Sequence, residues 1–205
     1  MFKSDDEPAR ALMQERRGRH PSFRHAVVAD ARFALMQRYG PAPRRGTGTL
    51  LQVLHLCLTS EAFLAQTIYR VRAALQRRGV PVLPRICHRL SNMIAGVDIG
   101  DPVIMHPGVH ILHGKVVIDG VTEIGSGVVI GPFVSIGLLS GNIIGPTIEE
   151  DVMVGASASV LGKLTIGKGA TIGANAAVFR DVPAGARVVP AAGTVVGPRH
   201  ETTSG

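Results

Sequence analysis

Residues 118–178 read, in blocks of six, IDGVTE IGSGVV IGPFVS IGLLSG NIIGPT IEEDVM VGASAS VLGKLT IGKGAT IGANAA V. The first residue of each block is Ile118, Ile124, Ile130, Ile136, Asn142, Ile148, Val154, Val160, Ile166, Ile172 and Val178, so ten of eleven are Ile or Val. Composition alone would place an aliphatic residue at roughly a third of random positions. Glycine follows directly at 125, 131, 137, 155, 167 and 173. A period of six is neither the 3.6 of an amphipathic helix nor the 2 of a half-buried strand. It marks a repeat architecture.

The physical solution is a triangular coil. Each hexad makes one short flat strand and one corner; the aliphatic residue points into the prism, and Gly tolerates the corner backbone. Three hexads close a turn, and each turn hydrogen-bonds to the next, so a stack is stable where one hexad is not. Asn142 breaks the pattern inside Leu138–Pro146, which reads as a loop leaving the coil. The predicted fold is mainly β: a left-handed parallel β-helix of hexapeptide repeats preceded by a small α-helical domain. The composition agrees. Aliphatics dominate a 45% hydrophobic content, aromatics make up 4%, and Trp is absent.

Upstream the pattern is helical. Apolar residues recur at helix spacing over 22–38, and Gly40-Pro41-Ala42-Pro43 breaks the chain. Helices are predicted at about Thr49–Leu58, Ser60–Arg78 (Ser60 as cap, Gly79 and Pro81 as stop) and Pro84–Met93. The expected organisation is a mobile basic arm over 1–20, an α-helical domain over 21–95, the β-helix over 96–197 and a flexible tail over 198–205.

The net charge of +7 is lopsided. Through Asp98 there are 16 Lys and Arg against 7 acidic residues; beyond it, 6 against 8. The run Arg16-Arg17-Gly18-Arg19-His20 lacks the stacking aromatics of a nucleic-acid surface, so it reads as a solvated arm and no nucleic-acid partner is expected. Cys57 and Cys87 do not make a disulfide framework. The polar start and the short apolar run Leu50–Leu58 suggest neither a signal peptide nor a membrane span, and a cytoplasmic location is expected.

From Val97 onward the chain resembles the serine acetyltransferase family of hexapeptide-repeat acyltransferases. Val97-Asp98-Ile99 is similar to that family's opening of the coil, and His113 falls fifteen residues after Asp98, the separation at which the family places its catalytic His after its Asp partner. The resemblance continues through Pro146–Ala156, Ile172-Gly173-Ala174 and Asp181-Val182-Pro183. It implies His113 as general base and Asp98 as the carboxylate that orients it. Fifteen residues is just short of an eighteen-residue turn, which would bring the two onto one edge of the prism. A seven-residue rung, Ile111 to Ile118, also breaks the period here. His106 and His110 are nearby rivals.

The resemblance further implies acetyl-CoA as co-substrate, with its pantetheine arm along Gly155, Ala156, Gly173 and Ala174, two corners eighteen residues apart. Gly-Ala also simply suits a corner. Lys168 is a candidate phosphate contact, or a solvated Lys. His110 and Lys115 are candidate acceptor contacts. No metal is expected. The family's coils pack as trimers, which implies a homo-trimer, with the helical domain available to pair two trimers, and no membrane partner.

Three positions depart from the family. Leu112 stands where an Asp usually precedes the catalytic His, Gly145 where a second His helps hold the amino acid, and Ile144 where a basic residue meets the serine carboxylate. The C-terminal Pro190-Ala191-Ala192-Gly193-Thr194 also differs from the usual ending near the CoA adenine. The sequence therefore suggests a CoA-dependent acetyltransferase whose small-molecule acceptor is other than free L-serine, such as a polysaccharide or natural-product intermediate. A genuine serine O-acetyltransferase and a non-catalytic β-helix partner protein are the alternatives.

Overall fold

The computed structural model describes residues 7–40, 49–139 and 142–191. Five helices precede fourteen short strands: α1 (Glu7–Arg19), α2 (Phe23–Tyr39), α3 (Thr49–Thr59), α4 (Glu61–Arg77) and α5 (Leu83–Ala95), then β1 (Val97–Ile99) to β14 (Arg187–Val188). The sequence placed the last four helices within a few residues. Ser60 caps α4 as predicted, its hydroxyl accepting from the Phe63 N–H at 3.3 Å.

The strands form a parallel solenoid with three sheets. The first face stacks β1, β4 (Val116–Ile118), β7 (Ser135–Gly137), β10 (Ser159–Leu161) and β13 (Ala177–Val178). The second stacks β2 (Ile104–Met105), β5 (Glu123–Ile124), β8 (Thr147–Ile148) and β11 (Thr165–Ile166). The third stacks β3 (His110–Ile111), β6 (Val129–Ile130), β9 (Met153–Val154), β12 (Thr171–Ile172) and β14. Registers such as Ile118↔Ile136 and Ile130↔Val154↔Ile172 put the hexad aliphatics directly above one another. All ten Ile and Val at that position are buried, whereas Asn142, between β7 and β8, is exposed.

A solenoid's first turn has no preceding turn to pair with, and its free backbone groups must find partners. Here polar side chains of the helices supply them. Tyr69 Oη donates to the Val103 carbonyl (2.9 Å) and Gln66 Nε2 to that of Val109 (2.9 Å). Arg72 reaches the Gly100 carbonyl (2.9 Å). Arg70 donates to the carbonyls of Met105 and His106, while Asp30 accepts from the Gly108 and Val109 N–H groups. Asp30 and Arg70 also pair with each other at 2.9 Å, both buried.

The N-terminal segment differs from the expected arm. Within 1–20, residues 7–19 form α1, and Arg16 is buried because its guanidinium donates to the Pro102 and Thr122 carbonyls (2.7 Å each). Arg19 makes two 2.8 Å bonds to Glu123. Part of the basic excess is thus spent on backbone carbonyls and one carboxylate of the coil. Residues 1–6 and the expected tail at 198–205 lie outside the described residues.

His20, at the end of α1, is buried and neither ring nitrogen has a hydrogen-bond partner among the described residues. Burial first, and then the surrounding Arg70, Arg72, Arg16 and Arg77, push its pKa down from about 6.5 to about 4. The imidazole is therefore neutral in the fold while the unfolded chain protonates near 6.5. Its contribution to stability is full above that pH and is lost as pH falls from 6.5 to 4, about 3 kcal/mol in total. Denaturant titrations should show a loss of about 2 kcal/mol between pH 7.5 and pH 5. His20→Phe should flatten that dependence; an equally steep profile in the variant would place the titrating group elsewhere.

Candidate active site

The corner between the third and first faces is built by 112–115, 131–134, 155–158 and 173–176, one segment per turn. It collects most of the sequence candidates. His113 is exposed on its first step, with half-exposed Leu112 before it. Gly114 is buried against the end of α5: a Cβ there would lie 1.9 Å from the Ala95 carbonyl oxygen, an impossible contact with backbone. Lys115 then adopts the left-handed region (φ 63°) and its N–H donates to that same carbonyl (2.7 Å). The seven-residue rung is thus pinned onto the helical domain, which aims His113 outward. The Lys115 ammonium lies 5.3 Å from the ring centre of Phe133, one turn on.

Below on the same corner, Gly155-Ala156 and Gly173-Ala174 stack on successive turns. The Gly155 N–H donates to the Ile172 carbonyl and the Asn175 N–H to that of Ala156, each at 2.8 Å. A Cβ on Gly155 would sit 2.6 Å from the Ala174 nitrogen, so the next turn of backbone by itself requires glycine there. Ala156 and Ala174 are partly exposed and small, leaving the corner backbone open to a thin ligand.

The other candidates fall elsewhere. His110, on β3, is half-buried beside α2 with Nδ1 unpartnered. Burial lowers its pKa; Asp30 opposes the shift, and Arg38 and His113 add to it, which places His110 near the base candidate. His106 and Lys168 belong to a different corner, between the second and third faces. There they rim a depression of about 330 Å³ with Glu123, Glu149 and Glu150. His106 Nε2 is bonded to Glu123 (2.9 Å), which also receives Arg19. The Lys168 ammonium rests on Glu150 (2.7 Å) and lies 3.9 Å from Asp151. The structure does not bring Lys168 to the Gly-Ala corner.

Asp98 projects outward from β1, opposite Val117 of β4. Among the described residues no hydrogen bond joins it to His113. Its carboxylate instead meets α5: Oδ1 lies 3.3 Å from His88 Nε2, and Oδ2 accepts from Asn92 Nδ2 at 3.3 Å. Sequence reasoning missed His88 and Asn92. Both precede Asp98 by less than three helical turns, but only the angle between α5 and β1 turns them toward it.

Sequence comparisons match residues 145–180 to the bacterial transferase hexapeptide (six repeats) family. A serine acetyltransferase of Synechococcus elongatus is 35% identical over 174 residues, covering 83% of this chain and 67% of the relative. This chain belongs to the serine acetyltransferase family. Among solved structures it is similar to isoform 3 of the Entamoeba histolytica serine acetyltransferase, in complex with cysteine, with TM-score 0.71 and 25% identity over 87% of this chain and 62% of that one. Soybean serine acetyltransferase complexed with serine gives TM-score 0.67 and 31% identity, over 82% and 66%. The chain thus spans about two thirds of the length of these serine acetyltransferases. No group of three or more His, Cys, Asp or Glu able to hold a metal occurs among the described residues, and no described helix is long and apolar enough to cross a membrane.

Proposed function

We propose that this chain is an acetyl-CoA-dependent serine O-acetyltransferase with His113 as general base. The observation that carries this reading is the exposed His113 on the same corner as the two stacked Gly-Ala steps, in a chain 35% identical to a serine acetyltransferase. An alcohol is a poor nucleophile near neutral pH. As its oxygen bonds to the thioester carbonyl carbon, the His113 imidazole takes the hydroxyl proton. The carbon–sulfur bond then breaks, and the imidazolium returns the proton to the departing CoA thiolate. Asp98 stabilises that imidazolium from the side of β1. The pantetheine arm lies along Ala156 and Ala174. A homo-trimer places a second coil beside this corner, and the exposed apolar Val117, Phe133 and Met153 support such packing.

The names of the relatives favour L-serine over the different acceptor suggested by sequence alone. One observation keeps that second reading in view: the half-exposed residue beside His113 is the apolar Leu112, and a free amino acid carries two charges that need partners. Incubation with acetyl-CoA and L-serine, following free thiol, decides between them. Turnover with L-serine is the expected result. An idle enzyme with L-serine that releases thiol with sugar or natural-product alcohols would move the assignment to the second reading. A chain that shows no calorimetric binding of acetyl-CoA would be a non-catalytic member.

A further inference from the structure

The donor and acceptor pattern around His88 assigns its proton. Arg72 is buried, 2% exposed, and one of its terminal nitrogens lies 2.7 Å from His88 Nδ1. A guanidinium has no lone pair to accept with, so Nδ1 must be the acceptor and the neutral ring must carry its hydrogen on Nε2. That nitrogen is the one facing Asp98 Oδ1 at 3.3 Å. Arg72 is itself held by the Gly100 carbonyl (2.9 Å), lies 5.3 Å from the centre of the Tyr69 ring and approaches Asp101 at 3.8 Å. A chain of contacts thus runs from the interior of the helical domain through Arg72 and His88 to a carboxylate on the coil. Asn92 grips the other carboxylate oxygen. One hydrogen bond, from Asn92, and one close ion-pair contact, from His88, hold Asp98 and leave it further lone pairs, since an ionised carboxylate can accept about four hydrogen bonds.

We propose that His88, locked as the Nε2–H tautomer by Arg72, is a positioning residue that orients the Asp98 carboxylate toward His113. This rests on the assignment of Asp98 and His113 as the catalytic pair. The helical domain on this view caps the coil and also sets the angle of the carboxylate that stabilises the base. A half-exposed ion-pair contact of this kind contributes at most about 1 kcal/mol, which corresponds to about fivefold in rate.

The test compares His88→Phe, His88→Gln and Asp98→Asn in the full-length protein, with acetyl-CoA and whichever acceptor turns over. His88→Phe should lower kcat by about fivefold and leave KM near its starting value. Gln can accept from Arg72 and donate to Asp98, and His88→Gln should recover kcat to within about twofold. Nitrogen NMR of histidine-labelled protein should show His88 protonated on Nε2 alone. Wild-type kcat in His88→Phe together with a fall in Asp98→Asn overturns the role of His88 while leaving the catalytic pair intact. Unimpaired Asp98→Asn overturns the pair itself. If His88→Phe does not fold, the labelled native protein decides: a proton on Nδ1 excludes the arrangement.

Discussion

Replacing His113 with Ala should lower kcat for acetyl transfer by about 10²–10⁴-fold, the usual contribution of a positioned general base. The fold should be unaffected. His113 is exposed, has no hydrogen-bond partner among the described residues and sits on a corner shaped by Gly114 and the Ala95 carbonyl. KM for acetyl-CoA should change little, because the proposed donor groove lies on the lower steps of the same corner, at Ala156 and Ala174. Thiol release measured with a verified acceptor, alongside far-ultraviolet circular dichroism and sedimentation, separates chemistry from folding. A variant that is folded and fully active would remove His113 from the mechanism. His110 would then be the next residue to substitute, since it lies near the same corner.

The largest effect on stability should come from Arg70→Met. The Arg70 guanidinium is almost wholly enclosed and serves three acceptors at once: the Asp30 carboxylate and the carbonyls of Met105 and His106. Met keeps much of the volume and removes every donor. Asp30 is then left as a buried carboxylate whose remaining partners are the Gly108 and Val109 N–H groups. Removing one member of a buried ion pair typically costs about 3–5 kcal/mol, because the other charge stays desolvated and unpaired. Urea denaturation at fixed protein concentration should show a loss of that size. Asp30→Asn with Arg70→Met should cost less than the sum of the single changes, since the orphaned charge is gone. Strict additivity would mean that the two side chains act independently.

The two substitutions probe parts of the molecule that the sequence exposed to very different degrees. The hexad period made the inward column legible residue by residue, because each inward position depends only on its place within a local strand and on the turns stacked above and below. The same arithmetic placed Gly155-Ala156 over Gly173-Ala174. It could not say whether those glycines serve a ligand or the stack; the 2.6 Å approach of the Ala174 nitrogen to a Cβ on Gly155 shows that stacking alone requires one of them. The fifteen-residue spacing of Asp98 and His113 was equally visible. Their side-chain partners were not, because a corner residue and a mid-strand residue are aimed by what packs on them, here the end of α5.

Lys168 illustrates the same limit. Lys168 lies one hexad before Gly173-Ala174, so the repeat itself assigns it to the preceding corner, but the repeat does not show which side chains its ammonium meets. The structure puts it with Glu150 and Asp151, away from His113. The N-terminal basic run reads as solvated in the sequence because the partners of Arg16, the carbonyls of Pro102 and Thr122, lie 86 and 106 residues away and belong to backbone rather than to side chains. No charge pattern announces an unpaired carbonyl.

By itself, then, the sequence determined the coil, its inward residues, the break in its period at Asn142 and the corner that His113, the proposed base, occupies, all set by a repeat whose neighbours are a fixed number of residues apart. Tertiary structure alone decided how the first turn is covered, through Asp30, Gln66, Tyr69, Arg70 and Arg72, and that His88 and Asn92 hold Asp98. The reason is physical: these contacts join helices to the open end of a solenoid, and an open end has no period from which its partners can be read.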